Sequence, residues 1–174
     1  MIGLYRALSL VIAAGVASAQ PSQAARASIV IGGKTISVNY SAPAVRGRRI
    51  FGPGGVVSRD ASYPVWRAGA DAATAFHTDA DLVVGNLKVP KGDYSIYALV
   101  KDPNAWELII NKQTGQWGLT YNPALDLGRI PMTMSKPAAP IERLRYTLSD
   151  VGGGKATLRL EWENHIASVP IIVK

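Results

Sequence analysis

The stretch IERLRYTLSDVGGGKATLRLEWEN, residues 141–164, alternates apolar and charged side chains on both sides of three glycines. Leu144, Tyr146 and Leu148 share a strand face with Leu158, Leu160 and Trp162, while Arg143, Arg145, Arg159, Glu161 and Glu163 take the other. A period of two with one apolar side is the pattern of a half-buried hairpin. If Gly152–Gly154 forms the loop, Val151 lies opposite Lys155, and the same register sets Arg145 opposite Glu161 and Arg143 opposite Glu163. A slip of two residues would oppose Arg145 to Arg159, so charge complementarity predicts the first register. Exposed pairs of this kind contribute at most about 1 kcal/mol each, enough to choose a register but not to hold a fold.

The same period runs outward from this hairpin. SIVIGGKTISVNYSAP (28–43) is two β-rich runs around Gly32-Gly33, with Ile36, Val38 and Tyr40 on one face. In NLKVPKGDYSIYALV (86–100), Tyr94, Ile96 and Ala98 fall on one side of a strand and Tyr97 and Leu99 on the other, which suits a strand covered on both faces. AWELIINKQTGQWGL (105–119) reads as a strand and a glycine-containing turn. TYNPALDLGRIPMTMSKPAAP (120–140) holds four prolines, which demote it to a long connection with an edge strand. No segment after the N-terminal region has the apolar spacing of an amphipathic helix; RAGADAATAFHT (67–78) is alanine-rich but interrupted by Gly69. The pattern predicts an all-β, antiparallel, jelly-roll-like sandwich of about ten strands, one domain over residues 28–174.

At the N-terminus, Arg6 precedes an apolar run from Ala7 to Val16 and the small residues Ala17-Ser18-Ala19. This is a secretory signal cleaved before Gln20, because the run is well short of the roughly 20 residues that cross a bilayer. The mature chain of 155 residues is expected to be extracytoplasmic, periplasmic or secreted, with no transmembrane segment, and residues 20–27 to form a flexible leader. The absence of cysteine excludes thiol catalysis, iron–sulfur clusters and cysteine zinc sites. The net charge of +7 is unevenly spread, since residues 20–59 carry six basic side chains and no acid, whereas 60–174 balance 12 against 12. Such a segment attracts anions or is a solvated loop with one or two arginines in salt bridges. Without interleaved aromatic and basic residues there is no signature of a nucleic-acid partner.

Catalytic signals are sparse. His77 and His165 stand far apart without metal-ligand spacing and read as surface strand residues, so no metal and no cofactor is expected. GPGGVV (52–57) precedes no helix and reads as a turn-maker. Glu161 and Glu163, two apart on a strand, would have Cβ atoms about 7 Å from each other, within the range of glycosidase carboxylate pairs. The arginines expected opposite would lower both pKa values, the reverse of what a general acid needs.

The motifs VNYSAPAVRGRRIFG (38–52), VWRAGADAAT (65–74), KGDYSIYAL (91–99), IINKQTGQWG (109–118) and LRLEWEN (158–164) occur in this order. Together they resemble the domain of unknown function 2911 family of small secreted bacterial proteins, over about residues 28–172. The resemblance implies a β-sandwich and no particular activity. It places Arg48, Phe51, Trp66, Arg67, Gly69, Thr74, Lys112, Trp117, Gly118, Glu161 and Asn164 on family motifs. The sequence departs from the family pattern at Asp71-Ala72, which more often reads asparagine then glutamate. Arg48, Trp66, Arg67, Lys112 and Trp117 either converge on an anionic or carbohydrate ligand or serve as latches between strands. The first reading makes the protein a non-enzymatic binding module. Alternatives are an envelope hydrolase acting on glycans, with Asp71 and Glu161 or Glu163 as acid and base and His77 as auxiliary, and a purely structural envelope protein.

Overall fold

A computed structural model describes residues 21–174; the expected signal segment and Gln20 lie outside the described residues. The strands are β1 (Gln23–Ile31), β2 (Lys34–Ala42), β3 (Val65–Trp66), β4 (Thr74–Thr78), β5 (Leu82–Val84), β6 (Leu87–Val89), β7 (Gly92–Asp102), β8 (Ala105–Asn111), β9 (Asp126–Pro131), β10 (Thr133–Ser135), β11 (Ile141–Gly152), β12 (Lys155–Glu163) and β13 (His165–Val173). They form two antiparallel sheets. The first has the order β1-β2-β4-β7-β8-β9 with β3 added beside β7, and the second β11-β12-β13-β5-β6 with β10 beside β13. The two sheets make an all-β sandwich that does not close into a barrel. Among the described residues there are thirteen strands rather than about ten, the surplus being strands of two or three residues too short for a period to show. Among the described residues no helix is long and apolar enough to cross a membrane.

The core lies between the inward faces that the alternation marks. Ile36, Val38, Phe76, Ile96, Leu108 and Ile110 from the first sheet meet Leu144, Tyr146, Leu158, Leu160 and Trp162 from the second, all buried. Each such aliphatic side chain contributes about 1.5–3 kcal/mol on leaving water. On the outer face of the first sheet, Tyr97 and Ile109 pack with Val65 and Tyr121, so β7 is covered on both sides as its sequence predicts. β9 is the edge strand expected within the proline-rich connection.

Registers follow the sequence in the middle of hairpins and depart from it at the ends. Arg145 faces Glu161 as predicted, with Tyr146 opposite Leu160 and Leu148 opposite Leu158. Near the loop, an irregularity pairs Gly152 instead of Val151 with Lys155, leaving Gly153-Gly154 as a two-residue turn with φ of 63° and 73°. Positive φ at both turn residues matches the right-handed twist of the flanking strands, and glycine reaches it without strain. At the other end Glu163 pairs with Ile141 rather than Arg143. Arg143 turns away to β2, bridging Ala44 and donating from Nη1 to the Ala42 carbonyl at 3.1 Å.

The small residues of the expected leader form strand instead: β1 pairs with β2 along its whole length, from Gln23 opposite Ala42 to Ile31 opposite Lys34. A neighbouring strand supplies the hydrogen bonds that a run such as Gln-Ala-Ala-Arg-Ala does not specify by its own propensity.

Candidate functional site

The loop between β3 and β4, Arg67–Ala73, is fixed by its surroundings residue by residue. Thr74 Oγ1 donates to the carbonyls of Arg67 and Ala68 at 3.3 and 3.1 Å, and the Tyr146 hydroxyl donates to the Ala68 carbonyl at 2.7 Å. The Ala70 amide donates to Ser41, the Ala73 amide to Gln116, and the Gly118 amide to Asp71. These bonds hold Ala68 and Asp71 at φ of 48° and 60°, a left-handed conformation that non-glycine residues adopt only when their environment imposes it. Two glycines make the packing feasible. A Cβ at Gly69 would lie 2.6 Å from Thr74 Oγ1, and one at Gly118 would lie 2.6 Å from both Arg67 Cδ and the Asp71 carbonyl oxygen.

This loop forms one wall of a cavity of about 250 Å³, and the long connection after β2 forms the other. Trp66 and Trp162, stacked at 5.7 Å and 18°, border it on the core side. Val56 and Val57 add an apolar wall, while Arg46, Arg48, Asp60, Arg67 and Asp71 bring charge to it. Arg46 is itself held at φ 49°, its amide donating to Glu142 Oε1 at 2.8 Å. Of the four non-glycine residues in the left-handed region among the described residues, three therefore lie on or just behind this one cavity.

Arg67 is the least satisfied charge in it. Its side chain is 18% exposed, its Nε is buried without a hydrogen-bond partner, and its guanidinium makes no hydrogen bond to a described residue. The nearest carboxylate, Asp60, sits with Oδ1 3.9 Å from Nη2, too far for a hydrogen bond. The guanidinium carbon lies 5.9 Å from the ring centre of Trp117, which is 54% exposed, so the indole covers the cation from outside. Burial pushes the Asp60 carboxyl above its usual range, against the opposing pull of Arg67.

Of the residues the sequence nominates, the structure brings together Arg48, Trp66, Arg67 and Asp71 at the cavity, with Trp117 against Arg67. Arg48 donates to the carbonyls of Val45 and Ala44, and Arg49 and Arg59 likewise bond to the carbonyls of Phe51 and Gly54. The basic segment is thus stitched mostly to its own backbone rather than to carboxylates. Trp66 is 1% exposed, too deeply set to offer a stacking face.

Four nominated residues stand elsewhere. Lys112 is exposed on the turn after β8. His77 bridges two carboxylates, Nδ1 at 2.7 Å from Asp93 and Nε2 at 3.0 Å from Asp79. Glu161, expected to face outward, is buried: Oε2 accepts from Arg145 Nε at 2.6 Å and from Thr147 at 3.3 Å. Glu163 ends β12 at φ 53°, where its Oε1 accepts from the Ile50 amide at 3.2 Å and Oε2 lies 3.5 Å from His165 Nδ1. The two glutamates therefore do not share a site. His165 is not a surface residue either; it stacks on Trp106 at 5.1 Å and 16°, and burial lowers its pKa. Among the described residues no group of three or more acidic or histidine side chains is arranged to hold a metal ion.

The model of a family described as protein of unknown function, DUF2911, matches residues 21–171. The chain belongs to the DUF2911 family. Among curated proteins and among solved structures, nothing matches. Within this DUF2911 domain, the motif glycines Gly69 and Gly118 are explained by the close approach of Thr74 and Arg67, and Thr74 by the carbonyls it ties.

Asp60 and Ser22, which also border the cavity, are what sequence reasoning misses. Asp60 follows a 3-10 turn at Val57–Arg59 in a stretch that reads only as a glycine-rich connection. Its one signal is that it is the first acid in the chain, after a long basic segment.

Proposed function

We propose that the protein is an extracytoplasmic, non-enzymatic binding module whose cavity beside Arg67 takes a small anionic ligand. The carrying observation is the guanidinium itself: a largely buried cation, fixed by Gly118 and Trp117, with donors left unused. Arginine offers a planar fork of five donors that matches a carboxylate or phosphate, and leaving such donors buried without partners is costly. An arginine serving as a latch would show bonds to backbone carbonyls, as Arg48 does. Calorimetric titration of the purified mature chain with small carboxylates, with Arg67→Met alongside, tests this. Saturable binding by the wild type that vanishes in a variant with an unchanged circular dichroism spectrum supports the reading. Equal binding by both refutes it.

The extracytoplasmic location rests on the N-terminal sequence pattern, and intact mass of the exported protein should place its first residue at Gln20. A hydrolase is the second reading, favoured by one observation: Asp60, with its raised pKa, borders the same cavity as Asp71. That pairing replaces Glu161 and Glu163, whose carboxylates are committed elsewhere. New reducing ends released from envelope glycans by the wild type, and not by Asp60→Asn, would favour it over simple binding.

A further inference from the structure

The cavity beside Arg67 is not a plain anion hole. Any anion that reaches this guanidinium also meets Asp60, whose Oδ1 is 3.9 Å from Nη2 and whose side chain is 16% exposed. Asp71 stands at the same cavity, exposed, its backbone fixed by the Gly118 amide. Cation and carboxylate are thus adjacent but not bonded to each other, each with capacity to spare. A bare anion gains the guanidinium and suffers repulsion from Asp60. An anion with a hydrogen-bond donor on the neighbouring carbon gains both, because its donor faces the carboxylate while its own oxygens face Arg67.

Size and walls narrow the ligand further. The volume of about 250 Å³ falls below the roughly 300–1,000 Å³ of sites that enclose drug-sized molecules. Val56, which is partly exposed, supplies an apolar side on which a short carbon substituent can rest. Arg48, whose guanidinium is bonded to backbone carbonyls and not to a carboxylate, adds a second positive charge at the cavity. A net negative or zwitterionic ligand therefore suits it better than a cation.

We propose that the cavity selects small carboxylates bearing a hydroxyl or ammonium group on the carbon next to the carboxylate, as in α-hydroxy and α-amino acids, over plain carboxylates and inorganic oxyanions. The proposal rests on the anion-binding reading above. The donor group on the ligand is recognised by Asp60, with Arg67 holding the carboxylate.

Propionate, lactate and L-alanine share one three-carbon skeleton and differ only in the group at the α-carbon. Titrating each, and sodium sulfate, into the purified mature protein measures the selectivity directly. Lactate or L-alanine should bind about tenfold or more tighter than propionate and sulfate, the scale of one hydrogen bond to a charged group. Which of the two binds tighter tells a hydroxy-acid site from an amino-acid site. In Asp60→Asn the repulsion is gone, so propionate and sulfate should gain affinity, L-alanine should lose it, and the spread should shrink to about threefold or less. Propionate or sulfate binding as tightly as the substituted acids overturns the selectivity while leaving an anion site at Arg67. Failure of all four to bind overturns both. The wild-type series decides the matter even if Asp60→Asn does not fold.

Discussion

Two arginine–acid pairs on this sandwich use nearly the same chemistry to opposite ends. At the β11–β12 hairpin, Arg145 donates to Glu161 at 2.6 Å, and Thr147 donates to the same carboxylate oxygen. At the cavity, Arg67 and Asp60 stand 3.9 Å apart, and Arg67 Nε is buried without a partner. Exposure is also reversed. Arg145 is 58% exposed over a buried glutamate, whereas both members of the second pair are mostly buried. The first pair is closed, and its work is to fix a register. The second stays open, with the Arg67 stem packed against Gly118, and the proposed ligand is what would complete it.

The largest effect expected concerns the floor beneath the open pair. Trp66→Ala should cost about 3–5 kcal/mol of stability, read by chemical denaturation, because the indole is fully buried among Phe51, Trp106 and Trp162. A loss below about 1 kcal/mol would mean that Trp66 is a ligand platform and not core. Next comes the same substitution at the two arginines. Arg145→Met leaves Glu161 buried with only Thr147 and should cost about 3 kcal/mol. Arg67→Met keeps the packed stem and removes a cation that makes no hydrogen bond to a described residue and stands 3.9 Å from Asp60, so it should change stability by no more than about 1 kcal/mol. Equal costs at the two sites would erase the distinction between them.

These pairs also show what a sequence can disclose. Arg145 opposite Glu161 is legible because strand period and charge sign point to one register, and both act between residues close along the chain. The ends of the same hairpin are not legible. The register shift between Ile141 and Arg145 and the turn at Glu163 answer to Arg143 reaching Ala42 and to the Ile50 amide claiming Glu163, contacts made across long stretches of chain. The cavity is legible in half. Arg67, Trp117, Arg48 and Asp71 lie on motifs with marked composition, while Asp60 sits in a connection whose path is set by tertiary contacts. The opening of the first strand, Gln23 to Ala27, is missed because its side chains are mostly small or polar and its partner strand supplies the order, whereas Ser28 to Ile31 read as strand from their own alternation.

Smaller effects come from titration. The folded-state pKa of Asp60 lies above its ordinary 3.8 through burial. The native state therefore holds that proton longer than the unfolded chain does, and Asp60's contribution falls as pH rises through the raised pKa. Asp60→Asn should accordingly raise the unfolding temperature relative to wild type more at pH 7 than at pH 3. The histidines shift in opposite directions. The hydrogen bonds of His77 to Asp93 and then Asp79 raise its pKa above 6.5, so the stability it adds is full below 6.5 and is lost as pH climbs through the raised value. Burial lowers that of His165, so stability is lost as pH falls from 6.5 through the lowered value. Ring-proton NMR titration should resolve one midpoint on each side of 6.5; a His165 midpoint above it would contradict the packing on Trp106, and a His77 midpoint below it would contradict the bonds to Asp93 and Asp79.

The unused donor of Arg67 can be observed directly by recording the side-chain Nε–Hε resonances of the 15N-labelled protein while lactate is added. The account predicts that the Arg67 signal shifts saturably, as a carboxylate engages its guanidinium, while that of Arg145, already bonded to Glu161, stays in place. An Arg67 signal that does not move while lactate binding saturates elsewhere would show that the cavity is a structural joint and the arginine a latch.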